Sequence, residues 1–213
     1  MVDLNQIVER LLDEAEKSYG GDFFLKNDSP AIDALNDRGN NSVERQNHVR
    51  SFLHYYSVLQ GLNKSDETAI VNEILEFADS HDLTKSPSST EEILELFEDL
   101  HARCSSKVHP NKNGKPRDLT SLTSKILWCC YPDTIPMFDS RAGHALCVIS
   151  HLMCLKRPTL NRESRYEPFL AVWKDLYPHF ESMIAENRGR SVGSPHKVRV
   201  FDMILWTIGG PDF

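Results

Sequence analysis

The residues of this chain whose types and spacing suit chemistry are few. Asp139 stands in Met137-Phe-Asp-Ser-Arg141, and Lys125 lies one helical turn beyond Ser121. A carboxylate placed like Asp139 can stabilise positive charge that develops on a reacting carbon, and it can orient or deprotonate an attacking water. A lysine amine is a nucleophile towards carbonyl carbon, so Lys125 is a second candidate catalytic group. Asp before a helix is also a favoured N-cap, so the position of Asp139 has a structural explanation as well. On a helix from Leu119, residues Asp118, Ser121, Lys125 and Trp128 share one row, and Leu119, Leu122, Ile126 and Cys129 share another. The second row reads as core-facing and the first as lining a cleft. Trp128, Tyr131, Phe138 and Trp206 are the aromatics near these groups, and each is a candidate for stacking on a planar ligand or for simple core packing.

Other chemistries find less support. His144, Cys147, His151 and Cys154 recur at helical spacing, but one straight helix cannot wrap four ligands round an ion, and no metal site is expected. The opposite face of that helix carries Ala142, Ala145, Ile149, Leu152 and Met153, which predicts a central, buried helix. Cys129 and Cys130 have no partner that the sequence specifies for nucleophilic work. No glycine-rich phosphate loop and no H-E-x-x-H pattern occurs, and no cofactor is expected.

Helical periodicity dominates the elements that must position these groups, and no run alternates as a strand does. Ile7, Leu11, Leu12 and Ala15 form a first stripe, and Asn27-Asp-Ser-Pro30 reads as a break. Ser42 is expected to cap a helix through Leu59 that Gly61 ends, and Ser65 to open the next one. Thr90 precedes a helix whose first turn holds Glu91 and Glu92, suited to the helix dipole. Asp118 reads as the cap of the helix from Leu119, another helix is expected to start at Asp139, and further ones over about 167–186 and 196–208. The prediction is an all-α bundle of about eight helices in a single domain, 1–213. Its one candidate internal boundary, Thr84–Ser89, would separate an acidic lobe (1–85) from a basic lobe (90–213).

The composition agrees with a globular protein, with 40% hydrophobic and 26% charged residues. Five cysteines, an odd number with two adjacent, suit reduced thiols. No apolar run reaches a membrane span and no secretory leader is read at Met1–Gln6, so a cytoplasmic monomer is expected. The net charge of −7 disfavours generic nucleic-acid binding, but it is unevenly spread. Residues 1–100 hold 8 Lys+Arg and 21 Asp+Glu, a net of −13, whereas residues 101–213 hold 16 and 10, a net of +6.

The order of features over residues 105–155 is a basic loop, a helix, a short loop, and an aspartate opening the next helix. This resembles the core of helix-hairpin-helix DNA glycosylases, especially the small archaeal-type 8-oxoguanine glycosylases. The resemblance implies a bundle of that type and an enzyme that excises a modified base from DNA by N-glycosidic hydrolysis. Asp139 falls where the family keeps its catalytic aspartate. The family's hairpin is rich in glycine, and here Asn111-Lys-Asn-Gly-Lys115 stands in its place with one glycine. Lysines are therefore expected to replace backbone amides as phosphate contacts. Where bifunctional members carry a Schiff-base lysine this chain has Ser121, which implies a monofunctional enzyme with Lys125 as a lesser nucleophile. The expected DNA contacts are Lys107, Lys112, Lys115, Arg117, Arg141, Arg190 and Lys197. The expected substrate-contacting residues are Ser121, Trp128, Tyr131, Phe138 and Trp206. The biological setting would be base repair or defence against modified phage DNA. A non-catalytic helical protein- or nucleic-acid-binding protein is the rival expectation.

Overall fold

The structure is a computed structural model that describes residues 4–19, 22–38, 42–153, 166–186 and 194–210. It is all-helical, with nine α-helices and no strand among the described residues. No helix among them is long and apolar enough to cross a membrane. The chain divides into two compact units, and Thr84–Ser89 lies inside one of them. A central unit takes Leu25–Ile135, and a terminal unit takes Met1–Phe24 with Pro136–Phe213. The charge imbalance between the two halves of the sequence fades in these units. The terminal one holds 12 basic and 14 acidic residues, the central one 12 and 17.

The central unit contains α2 (Ser29–Asn36), α3 (Ser42–Tyr55), α4 (Lys64–Ser80), α5 (Thr90–Ser106) and α6 (Thr120–Cys130). The break expected at Asn27–Pro30 is instead a π-helical turn, Phe24–Asp28, that runs directly into α2. Pro30 sits in the first turn of α2, where its missing N–H has no intrahelical partner to lose. Helix α4 is capped by Asn63 rather than Ser65, through Asn63 Oδ1 accepting from Asp66 N at 2.9 Å. Helices α2, α3 and α4 are joined by Arg45, whose Nε donates to the Ala34 carbonyl (2.7 Å) and whose two terminal nitrogens fork onto the Asp79 carboxylate. The break at 84–89 links α4 to α5, which pack on each other, so it is an internal turn. Ser89 closes that turn by accepting from Glu92 N, and Glu92 reaches back to Ser88 N, a variant of the capping box.

Helix α3 ends earlier than Gly61. Ser57 N donates to the His54 carbonyl and Val58 N to the Leu53 carbonyl. This is a Schellman stop with Ser57 at φ 57°, a left-handed position that glycine occupies more comfortably. Ser57→Gly is therefore expected to stabilise the protein by about 0.5–1 kcal/mol, because relief of Cβ strain exceeds the added unfolded-state entropy. A urea melt checks it, and an unchanged or lower midpoint would show that the Ser57 backbone carries no strain.

The terminal unit contains α1 (Leu4–Tyr19), α7 (Ser140–Leu152), α8 (Tyr166–Glu186) and α9 (Lys197–Gly209). Helix α9 is its centre and touches α1, α7 and α8. Gly209 explains how α9 meets α7 so closely. A Cβ there would lie 2.6 Å from the Arg141 carbonyl oxygen, inside contact distance, so only glycine lets the backbones approach. Helix α7 is less buried than its composition predicts. Ala142, Ala145 and Ile149 are buried, but His144, His151 and Leu152 are exposed, so the helix lies at a surface.

Candidate functional site

Asp139 is the N-cap of α7, as its sequence position predicts. Its backbone is extended and its Oδ1 accepts from Ala142 N at 2.9 Å. The side chain is half-buried. The segment that delivers it is fixed from below, because Asp202, fully buried on α9, accepts from Met137 N through Oδ2 at 3.1 Å. Tyr166 donates its hydroxyl towards the Pro136 carbonyl (3.5 Å), and burial pushes that phenol's pKa upwards. Phe138 turns inward, packing edge-on against Phe169 with ring centroids 5.0 Å apart. At 4% exposed, Phe138 is a core residue that holds Asp139 in place and not a surface for ligand.

A second group of residues gathers beside Asp139 in the terminal unit. Tyr19, at the end of α1, lies edge-on to Phe23 (5.4 Å) and to Trp206 of α9 (5.9 Å). The Arg199 guanidinium is fully buried, 5.0 Å from the Trp206 ring centroid and 5.8 Å from that of Phe23. The attraction of a cation to these ring faces offsets part of the cost of its burial. Burial raises the Tyr19 phenol, while the charges of Arg199 and Arg141 pull it down and that of Asp139 pushes it up. These groups therefore share one electrostatic neighbourhood. Tyr19, Phe23 and Trp206 are all half-buried, so part of this aromatic surface reaches solvent.

Sequence reasoning singled out Trp206 but missed Tyr19, Phe23 and Arg199. A signal for Arg199 was present: Arg199 and Asp202 stand three apart in the otherwise apolar run Val198–Leu205. Charges spaced that way in an apolar helix mark a buried polar group. The aromatics flanking Gly20-Gly21 give no comparable hint of what they would meet.

In the central unit, α6 is buried nearly all round, because α2 and α5 flank it. Half of the row expected to line a cleft is thus interior. Trp128 is 0% and Lys125 2% exposed, whereas Ser121 is half-buried and Asp118 exposed. Lys125 Nζ donates to Ser121 Oγ at 2.8 Å and lies 5.8 Å from the Tyr56 ring centroid. The Tyr56 hydroxyl in turn donates to Oδ1 of the fully buried Asp28 at 2.5 Å. The Lys125 amine is therefore interior and meets a serine and a ring. Tyr131, 4% exposed, is interior as well. The Cys130 thiol is pushed up to about 12 by burial, which keeps it protonated and inert.

The basic loop is tethered at both ends. Asp66, buried in the first turn of α4, accepts from His109 N and from His109 Nδ1 (2.8 Å). The hydrogen bond from His109 is the largest of the influences that hold its carboxyl below the usual range. Arg117 donates to the Gly61 and His109 carbonyls, which makes it a strut of the loop. Between these ties, Asn111 organises a tight turn. Its carbonyl accepts from Gly114 N, its amide donates to the Lys115 carbonyl, and its side-chain oxygen accepts from Asn113 N and Lys115 N. Those amides are consumed within the turn, so the tip offers side-chain charge. Lys112 and Lys115 are exposed there and meet no acidic partner among the described residues.

The remaining candidates differ. Lys107 pairs with Glu73 (3.0 Å) and Lys197 with Glu181 (3.2 Å), so each already answers a charge of this protein. Arg141 is exposed. Arg190 and Cys154 lie outside the described residues. No group of three or more His, Cys, Asp or Glu that could hold a metal occurs among the described residues. No protein-family model matches the chain, and comparison with curated proteins and with solved structures finds no match either.

Proposed function

We propose that the chain is a DNA glycosylase that hydrolyses the N-glycosidic bond of a modified base, with Asp139 as the working carboxylate. The observation that carries this reading is the neighbourhood of Asp139. A half-buried carboxylate at a helix N-terminus stands beside half-buried aromatic rings and a buried guanidinium. Enzymes that act on a base must take it out of the helix and stack it, which Trp206 and Tyr19 suit. Departure of the base leaves oxocarbenium character on the sugar, and Asp139 stabilises that charge and orients the water that attacks it. The burial of Lys125 supports attack by water rather than by an amine. Lys112, Lys115 and Arg141 supply phosphate contacts.

The test is base release. Normal, damaged and phage-modified DNA are incubated with the protein without added metal, and abasic sites are scored by alkali cleavage. The substrate that is cut distinguishes repair from antiviral defence. In the same assay Lys112→Ala is expected to weaken DNA binding several-fold for every sequence and to lower the salt slope by about 1. An unchanged slope removes Lys112 from the interface. A non-catalytic helical binding protein is the alternative, drawn from the burial of Trp128 and Phe138 and from the capping role of Asp139. It predicts no release from any DNA.

A further inference from the structure

One stripe of α9 follows the segment that carries Asp139. Asp202 holds Met137 N at 3.1 Å, and Gly209 lies against the Arg141 carbonyl, where a Cβ would come within 2.6 Å. Trp206 stands between them on the same helical face, at the i, i+4, i+7 spacing, so it faces the turn that Asp139 caps.

Tyr19 borders this place from the end of α1. Its ring meets Trp206 (5.9 Å) and Phe23 (5.4 Å). The Tyr19 and Trp206 rings are inclined at 64°, so only one of the two can lie flat on a given base. With Trp206 as that platform, Tyr19 acts through its hydroxyl. The side chain is half-buried, and the hydroxyl makes no hydrogen bond to any described residue. Burial is the largest influence on the phenol and raises it, so it stays an O–H donor at neutral pH.

The charges around these rings are mainly positive. Arg199 is fully buried, 5.0 Å from the Trp206 ring centroid and 5.8 Å from that of Phe23. Arg141 stands in the first turn of α7. Both guanidinium groups act on the Tyr19 phenol, and among the charges that reach it Asp139 alone opposes them. Arg199 already takes up the attraction that these ring faces offer a cation. A cationic base laid on Trp206 would meet like charge from Arg199 and from Arg141. An uncharged base meets no such penalty.

We propose that the base released at this site is uncharged in the DNA and departs with Tyr19 as its hydrogen donor, and that bases made cationic by ring alkylation are refused. The inference rests on the glycosylase reading. As the bond from C1′ to the base nitrogen breaks, its electron pair goes to the base, which would leave as an anion. The Tyr19 hydroxyl meets that charge and gives up its proton. Water bonds to C1′ and gives a proton to Asp139, and solvent carries that proton back to the Tyr19 phenolate. The sum is one water consumed, a free protonated base and a sugar hydroxyl. A ring-alkylated cationic base leaves neutral and has no need of the donor.

The test is single-turnover base release by wild type and Tyr19→Phe, with DNA affinity and the thermal midpoint measured beside it. The duplexes carry one uncharged base (uracil, 5-hydroxymethyluracil, hypoxanthine or 8-oxoguanine) or the cationic 7-methylguanine. Wild type is expected to release at least one of the uncharged bases and to leave 7-methylguanine in place. Tyr19→Phe keeps the ring and its contacts with Trp206 and Phe23, so its midpoint and DNA affinity should match wild type. Its release of the uncharged base is expected to slow about 100-fold, the scale of a lost general acid. An unchanged rate in Tyr19→Phe, or faster release of 7-methylguanine than of any uncharged base, would overturn the inference and leave the role of Asp139 standing. Absence of release from every duplex by wild type would overturn the glycosylase reading itself, and this inference with it.

Discussion

Asp139→Asn is expected to lower base release by at least about 10³-fold while leaving the fold intact, since electrostatic and general-base roles are each worth 10² or more. Asn is as good an N-cap as Asp, and its side-chain oxygen can keep the 2.9 Å bond from Ala142 N. What the substitution removes is the charge. Its loss at the head of α7 costs about 0.3–1 kcal/mol of dipole interaction, a small shift in a thermal melt. Asp139→Ala supplies the contrast, because it loses the cap as well and should destabilise by about 1 kcal/mol. Single-turnover base release and differential scanning calorimetry on both variants separate the two roles. If Asp139→Asn releases base at the wild-type rate, the carboxylate is only a cap and the proposed chemistry fails.

The largest effect on stability is expected at Asp202. Its carboxylate is fully buried and accepts from Met137 N at 3.1 Å. Asp202→Ala leaves that amide without its acceptor and opens a void beside Arg199, which is also fully buried and one turn away. An orphaned buried donor together with a disturbed buried charge costs about 3 kcal/mol or more. For a chain of this size that is a midpoint lower by about 6–12 °C. Asp202→Asn retains an oxygen for Met137 N and should recover part of the loss. Met137 stands two residues before Asp139, so base release should fall in Asp202→Ala even below its new midpoint, where the protein is still folded. A midpoint within about 1 °C of wild type would mean that Asp202 does not hold this segment.

The helical character and most helix positions were legible in the sequence, because the 3.6-residue apolar rhythm is a local signal that burial only reinforces. The cap at Asp139 and the helices from Thr90 and over 167–186 follow from local rules of the same kind. Errors arose where two local rules compete. Asn27-Asp-Ser-Pro30 contains break-forming residues, yet Pro30 in a first turn starts a helix as readily as it stops one. Gly61 looked like the end of α3, but a serine accepted the left-handed position four residues earlier. The site was half legible. Asp139 stands out by its position, whereas burial of Trp128 and Phe138 depends on which helices cover them. The meeting of Tyr19 with Trp206 depends on α1 packing against α9, elements from opposite ends of the chain. No periodicity encodes that pairing.

The split of the chain also bears on its synthesis. The central unit is one continuous stretch, Leu25–Ile135, and can close as soon as it leaves the ribosome. Helix α1 emerges before it and packs on α9, which begins at Lys197. At roughly 5–20 residues per second, α1 waits on the order of ten seconds or more with Leu12 and Ala15 uncovered. During that interval the nascent chain carries an exposed amphipathic helix beside a finished unit, a state suited to capture by a holdase chaperone. Pausing of translation after Ile135 would lengthen that window.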